Sequence, residues 1–438
     1  MLKSQVSITL QTEKAGSHYR WHLYAERILM VLPLTLFFPV GFVYSGVLLF
    51  YVAWSLSGSW SQKWSNLKQH PMTIPVLALS LVTSVVGIFY GKPAGAEKEF
   101  WPGFGHYQTY LFLLPMLSMA AGEWQKKTLK IFFAGAILAA SLFILGFFQV
   151  LPENTFFHSY VRYLGNKSIL LGILLSIAAG WMMHHIRIQT GPRWYQLIAL
   201  LYVVGAMVFL SKTRTALVIF VCIAILMACR NLCWNWRSIF LPFVVGIAGF
   251  GLWTYSITQP HPATCVINDV QASPVEKLRL RTICTIQQIN DLRHGRHAAD
   301  DDGMRTEIYT ITSGIIKEQP WMGHGIASWM PLYRERSEGL SSHTMTTPHS
   351  DYLLYLTETG LIGLVAMLMV YAQQWRIAYL MSRSNDAEIR DRAMLLAMLT
   401  LAMMIGAAFN AILRDGVFAM AFMVLLAIPL AGIRKTNS

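Results

Sequence analysis

The sequence predicts an all-α polytopic membrane protein, and three observations carry that prediction. Of its 438 residues 55% are hydrophobic and only 13% charged, with a mean hydropathy of +0.45; soluble globular chains carry more charge. The apolar residues fall in runs close to the ~20 residues that a helix needs to cross a bilayer. These runs do not alternate apolar with polar, as the strands of a spanning barrel would.

Twelve spans follow, at about 28–41, 43–58, 72–90, 105–121, 130–150, 168–186, 194–210, 214–230, 238–257, 349–371, 393–412 and 416–432. The first two are short and meet at Pro39 and Gly41, so they read as a re-entrant pair or as two tilted spans. Three regions result: an N-terminal membrane region (1–257), a large loop (258–348) and a C-terminal membrane region (349–438). The first 26 residues are polar and lack a short apolar core with a small-residue cleavage site, so no cleavable leader is expected.

Orientation comes from the basic residues. Nineteen Lys and Arg lie in one set of short segments that includes both termini, against seven in the opposite set. The positive-inside rule places both termini in the cytoplasm and the 258–348 loop, with nine further basic residues, outside. The net charge of +13 therefore has two origins. Its cytoplasmic part is a topology signal. Its outer part runs against that signal. Arg162, Lys167, Lys212 and Arg214 sit in short outer loops or at helix ends, where a charge needs a partner. Snorkelling to lipid phosphate would satisfy each one singly. An anionic ligand at the outer surface would satisfy the set, together with Arg305.

Cys222, Cys229 and Cys233 lie in or near the eighth span, whereas Cys265 and Cys284 both fall in the outer loop. A Cys265–Cys284 disulfide is permitted there by compartment; two free thiols are the alternative.

The loop carries its own helical signals. Ser273-Pro-Val-Glu276 reads as a capping box, followed by an apolar repeat through Leu292. Asp302 can cap a second helix in which Met304, Ile308, Ile311 and Ile315 form one face and Arg305 and Tyr309 share another. That helix ends before Pro320, and Gly323-His-Gly325 allows a sharp turn. Thr347-Pro-His349 then opens the tenth span, with Thr347 as N-cap, Pro348 at the first position and His349 in the first turn. Next to the positive end of the helix dipole, imidazolium is disfavoured, which suits a proton acceptor.

Other chemistries lose support. His294, His297, Asp300, Asp301 and Asp302 form a polar turn without the spacing that would converge them on a metal, so no metal is expected. No phosphate-binding P-loop, HExxH or nucleophile elbow is present. Glu358, two to three turns inside the tenth span, reads as structurally paired, and His324 as a loop residue.

Four patterns recur in order on the outer side: Gly165-Asn-Lys-Ser-Ile-Leu170; Ser211-Lys-Thr-Arg-Thr-Ala216; Arg305-Thr-Glu-Ile-Tyr309 with Pro320 and Gly323-His-Gly325; and Pro348-His-Ser-Asp-Tyr-Leu353 with Glu358, Gly360 and Gly363. In this order and spacing the chain resembles the O-antigen ligase/polymerase superfamily of bacterial envelope glycosyltransferases, over roughly 162–363. Ser350 stands where the family more commonly has Asn. The resemblance implies a GT-C-like fold and a metal-independent, inverting transfer without a cofactor. O-antigen polysaccharide would pass from undecaprenyl diphosphate to a sugar hydroxyl of lipid A–core, on the periplasmic face of a Gram-negative inner membrane; no nucleic acid is involved. His349 would be the general base. Arg214 and Arg305, with Arg162, Lys167 and Lys212, would bind the diphosphate. A polymerase using the same donor is the nearest rival; the basic outer face favours a phosphorylated lipid A–core acceptor. Relatives that glycosylate proteins usually carry a further soluble C-terminal region, whereas this sequence stops at Ser438. A transporter would show repeat symmetry, and none is visible.

Overall fold

In the computed structural model, which describes residues 2–89, 98–162, 166–188, 194–211, 213–231 and 301–434, every regular element is helical. α1 (Leu2–Thr35) packs on α2 (Val40–Leu56) across a tight turn at Pro39, so the expected first span, 28–41, covers the end of a longer helix, the turn and the start of α2. α3 (Trp60–Gln69) bends 114° away from α2. It exposes Trp60 and Trp64, and the Lys63 ammonium lies 4.7 Å from the Trp54 and Trp60 rings. Amphipathic rings with lysine suit a membrane interface.

α4 (Thr73–Phe89) follows the expected third span. The fourth, 105–121, is not one helix. It is α5 (Phe100–Tyr107), a 3-10 turn (Thr109–Phe112) and α6 (Leu113–Leu117). Gly103, Gly105 and Pro115 explain the break: glycine lowers helix propensity, and proline removes a backbone donor. Then come α7 (Glu123–Phe147), α8 (His158–Val161), α9 (Asn166–Ile188), and α10 (Trp194–Gly205), which runs into a π turn (Ala206–Leu210). α11 (Arg214–Asn231), α12 (Asp301–Glu318), α13 (Trp329–Arg336), α14 (Asp351–Ser382), α15 (Ala387–Phe409) and α16 (Gly416–Leu430) complete the described chain. The expected ninth span, the first loop helix, Lys212, Cys265 and Cys284 lie outside the described residues.

Among the described residues four helices, α7, α9, α14 and α15, are long and apolar enough to cross a membrane, or five spans if the bent α2–α3 pair is one. α4, α10 with its π turn, α11 and α16 are apolar but shorter. The 17 residues of α4 reach about 26 Å at ~1.5 Å per residue, against a hydrocarbon core of ~30 Å. α16 sits inside: every residue from Phe418 to Leu430 is buried, as expected of a helix apolar on all sides.

One break positions the segment from α12 to α13. Gly360, inside α14, has φ +65°. The Leu361 and Ile362 N–H groups donate not to their own helix but to the Pro320 and Trp321 carbonyls, at 2.8 and 3.3 Å. The carbonyls they leave, on Thr357 and Glu358, accept from His324 N–H and Gly325 N–H at 2.8 and 3.0 Å. Four helix bonding groups are exchanged for four on the 320–325 turn, so none is orphaned. The backbones approach so closely that a Cβ on Gly323 would lie 2.6 Å from the Glu358 and Gly360 main chain, and one on Gly360 would strike Trp321. Gly360→Ala is therefore expected to lose more than ~2 kcal/mol of stability through strain and clash. Gly314→Ala, in α12, meets nothing within 4 Å and should stay within ~1 kcal/mol of the native protein. Thermal unfolding of the detergent-purified variants checks the pair; equal midpoints would refute the splice.

Candidate functional site

α14 begins three residues later than expected. Ser350 is its N-cap and Asp351 its first residue, so neither Thr347 nor Pro348 opens the helix and His349 is outside the first turn. The cause is the backbone of His349, whose φ is +51°, a value no α-helical position adopts. Thr347 Oγ1 accepts the His349 N–H at 3.1 Å and closes this turn locally. Left-handed non-glycine residues are uncommon, though His is enriched among them, and such strain collects at functional sites. His349 is presented from a rigid turn immediately before the helix N-terminus.

The turn between α15 and α16, residues 410–415, ties this segment to the others. Arg414 Nη1 donates to the Thr346 carbonyl, and the Leu413 N–H donates to Asp351 Oδ2 at 2.9 Å. Asn410 Nδ2 donates to Thr215 Oγ1, next to Arg214, at 3.1 Å. Asp415 caps α16 through the Val417 N–H at 2.9 Å and accepts from Asn166 Nδ2 at the start of α9. Three of the four sequence patterns therefore meet on one short turn. The turn drew no attention as a site in the sequence, although Asn410, Arg414 and Asp415 between two apolar helices were a visible signal.

The fourth pattern joins through packing. α12 begins at Asp301, so Asp302 lies within its first turn rather than capping it. Ile308 is buried with Trp329, Tyr333 and Leu354, and Trp329 Nε1 donates to Thr312 Oγ1 at 3.0 Å. Arg305 is half-buried on this helix. At its far end Arg336 makes two bonds to Glu318, at 2.7 and 2.9 Å, which hold that carboxyl below its ordinary range.

The other expected cations are placed as follows. Arg214 is the exposed first residue of α11, directly after the π turn. Lys167 is the second residue of α9, and its ammonium donates to the Leu36 carbonyl. Arg162 is paired with Glu153.

A cleft opens between α5, α13, α14 and the 410–415 turn. Glu358 lies at its wall and is paired, as expected: Tyr107 Oη donates to it at 2.8 Å, and the Trp329 N–H approaches at 3.4 Å. His324 is likewise structural, with Nε2 2.9 Å from the Ile315 carbonyl.

Residues 197–368, from α10 to the middle of α14, match the family model described as O-antigen ligase. No curated protein matches the chain.

Proposed function

We propose that this chain, which carries an O-antigen ligase family domain at residues 197–368, transfers O-antigen from undecaprenyl diphosphate to a sugar hydroxyl of lipid A–core. The carrying observation is that Arg214, Arg305 and His349 all fall within that domain, on elements tied to one end of the bundle. His349 takes the proton of the acceptor hydroxyl. The freed oxygen attacks the anomeric carbon, the bond from that carbon to the diphosphate breaks with inversion, and undecaprenyl diphosphate leaves with the electron pair. Arg214 and Arg305, with Lys212, hold the diphosphate and stabilise its growing charge; Lys167 and Arg162 join them by exchanging the Leu36 carbonyl and Glu153 for the anion. Lys167 and Arg214 stand at the N-termini of α9 and α11, where the helix dipole disfavours a cation by itself. A bound anion there would be attracted by side chain and dipole together. In this reading the fold is GT-C-like with twelve spans, the termini are cytoplasmic and the site is periplasmic.

The test uses purified protein, lipid-linked donor and lipid A–core. Ligated product should form only when both substrates are present, and EDTA should leave the rate unchanged. Lengthening of the donor glycan in the absence of lipid A–core would instead identify a polymerase.

A further inference from the structure

The cleft beside the His349 turn has apolar walls, formed by Pro102 and Tyr107 from α5, Trp329 and Met330 from α13, and Leu354 and Tyr355 from α14. Glu99, His106, Asp351 and Arg414 also reach it. Asp351 is fully buried. Its Oδ2 accepts the Leu413 N–H and the carboxyl also lies against the Ile412 and Arg414 N–H groups, but its Oδ1 is buried without a hydrogen bond of full geometry. Buried polar atoms are almost always paired, and one left open calls for an explanation. Glu358, on the same cleft, is paired within the protein, so the open position belongs to Asp351.

We propose that this cleft is the subsite for the acceptor sugar, with Asp351 Oδ1 hydrogen-bonded to one of its hydroxyls. The proposal rests on the transferase reading above and names where the acceptor sits. A hydroxyl both donates and accepts, so it pairs with Asp351 whether that carboxyl is ionised or protonated. Apolar and aromatic walls with a few convergent polar groups are the usual make-up of a small-molecule pocket. Three carboxyl groups, on Glu99, Asp351 and Glu358, against the one guanidinium of Arg414 make the cleft a poor phosphate site. A neutral sugar ring fits it better. Asp351 follows His349 by two residues, and Arg414 holds Thr346 on the other side. A sugar seated here is kept beside the turn that presents the base.

The experiment measures KM for each substrate with the full-length protein, purified lipid-linked O-antigen and purified lipid A–core. Asp351→Leu should raise the KM for lipid A–core about tenfold, the loss of one buried hydrogen bond, with the donor KM unchanged. Asp351→Asn, which keeps one oxygen, should raise it less. Met330→Trp narrows the cleft without touching Asp351 and should raise the acceptor KM alone, which keeps the test open if the Asp351 variants misfold. Wild-type ligation with an unchanged acceptor KM in the folded variants overturns the subsite and leaves the function standing. Equal rises in donor and acceptor KM assign Asp351 a purely structural role and also overturn it. A wild type that forms no ligated product overturns the functional reading, and the subsite with it.

Discussion

His349→Ala should lower turnover by roughly 10²–10⁴-fold, the usual worth of a positioned general base, while donor binding stays close to normal. The reason to expect an intact fold is local. His349 lies outside α14, half-exposed, in a turn whose backbone is closed by Thr347. Alanine at a φ of +51° costs about 1–2 kcal/mol, so a loss of activity in that variant alone would mix chemistry with strain. His349→Asn separates the two. Asparagine tolerates the left-handed region and cannot serve as a base. If His349 is the base, both variants lose the same turnover, and only the alanine variant also loses thermal stability. If the histidine merely shapes the turn, His349→Asn retains near-native ligation with purified donor and acceptor, and the base must be sought elsewhere.

The legible and illegible parts of this molecule divide along physical lines. Hydropathy runs and helical spacing report burial, so α7, α9, α14 and α15 could be anticipated, and so could α12 with Ile308 and Ile315 facing inward. Hydropathy does not report where the backbone breaks. The run 105–121 is apolar enough for a span, yet it divides into three short pieces. Likewise α14 continues through residue 360 by composition, and only its hydrogen bonds to the 320–325 turn reveal the splice. The left-handed turn at His349 was hidden because the enrichment of histidine in that conformation is a weak signal, and a Thr-Pro pair also reads as a helix start. Least legible was the 410–415 turn. Its importance lies in bonds to Asn166, Thr215, Thr346 and Asp351, all distant in sequence. The arginines are nominated by a different signal: a basic residue on the face read as outer opposes the topology preference.

Arg214→Ala and Arg305→Ala should each weaken binding of the diphosphate donor by roughly 10–100-fold, because a charge-assisted hydrogen bond contributes about 1.5–3 kcal/mol. Turnover should fall as well, since charge grows on the leaving diphosphate in the transition state. Neither substitution opens a core. Arg214 is exposed at the start of α11, and Arg305 is half-buried on α12 while Ile308 and Ile315 carry the packing of that helix. Lysine at either position should restore binding only in part, because a point charge cannot make the two-pronged contact of guanidinium. Arg336→Ala supplies the comparison. It removes a cation from α13 whose guanidinium is bound in two-pronged fashion by Glu318, so its loss bears on that contact and not on the donor. Donor binding should then be unchanged. Titration of undecaprenyl diphosphate into the purified variants decides between a specific site and a diffuse basic surface. A specific site gives large losses for Arg214 and Arg305 and none for Arg336. A diffuse surface gives three small and similar losses that vanish at high salt, and that outcome would remove both arginines from the mechanism.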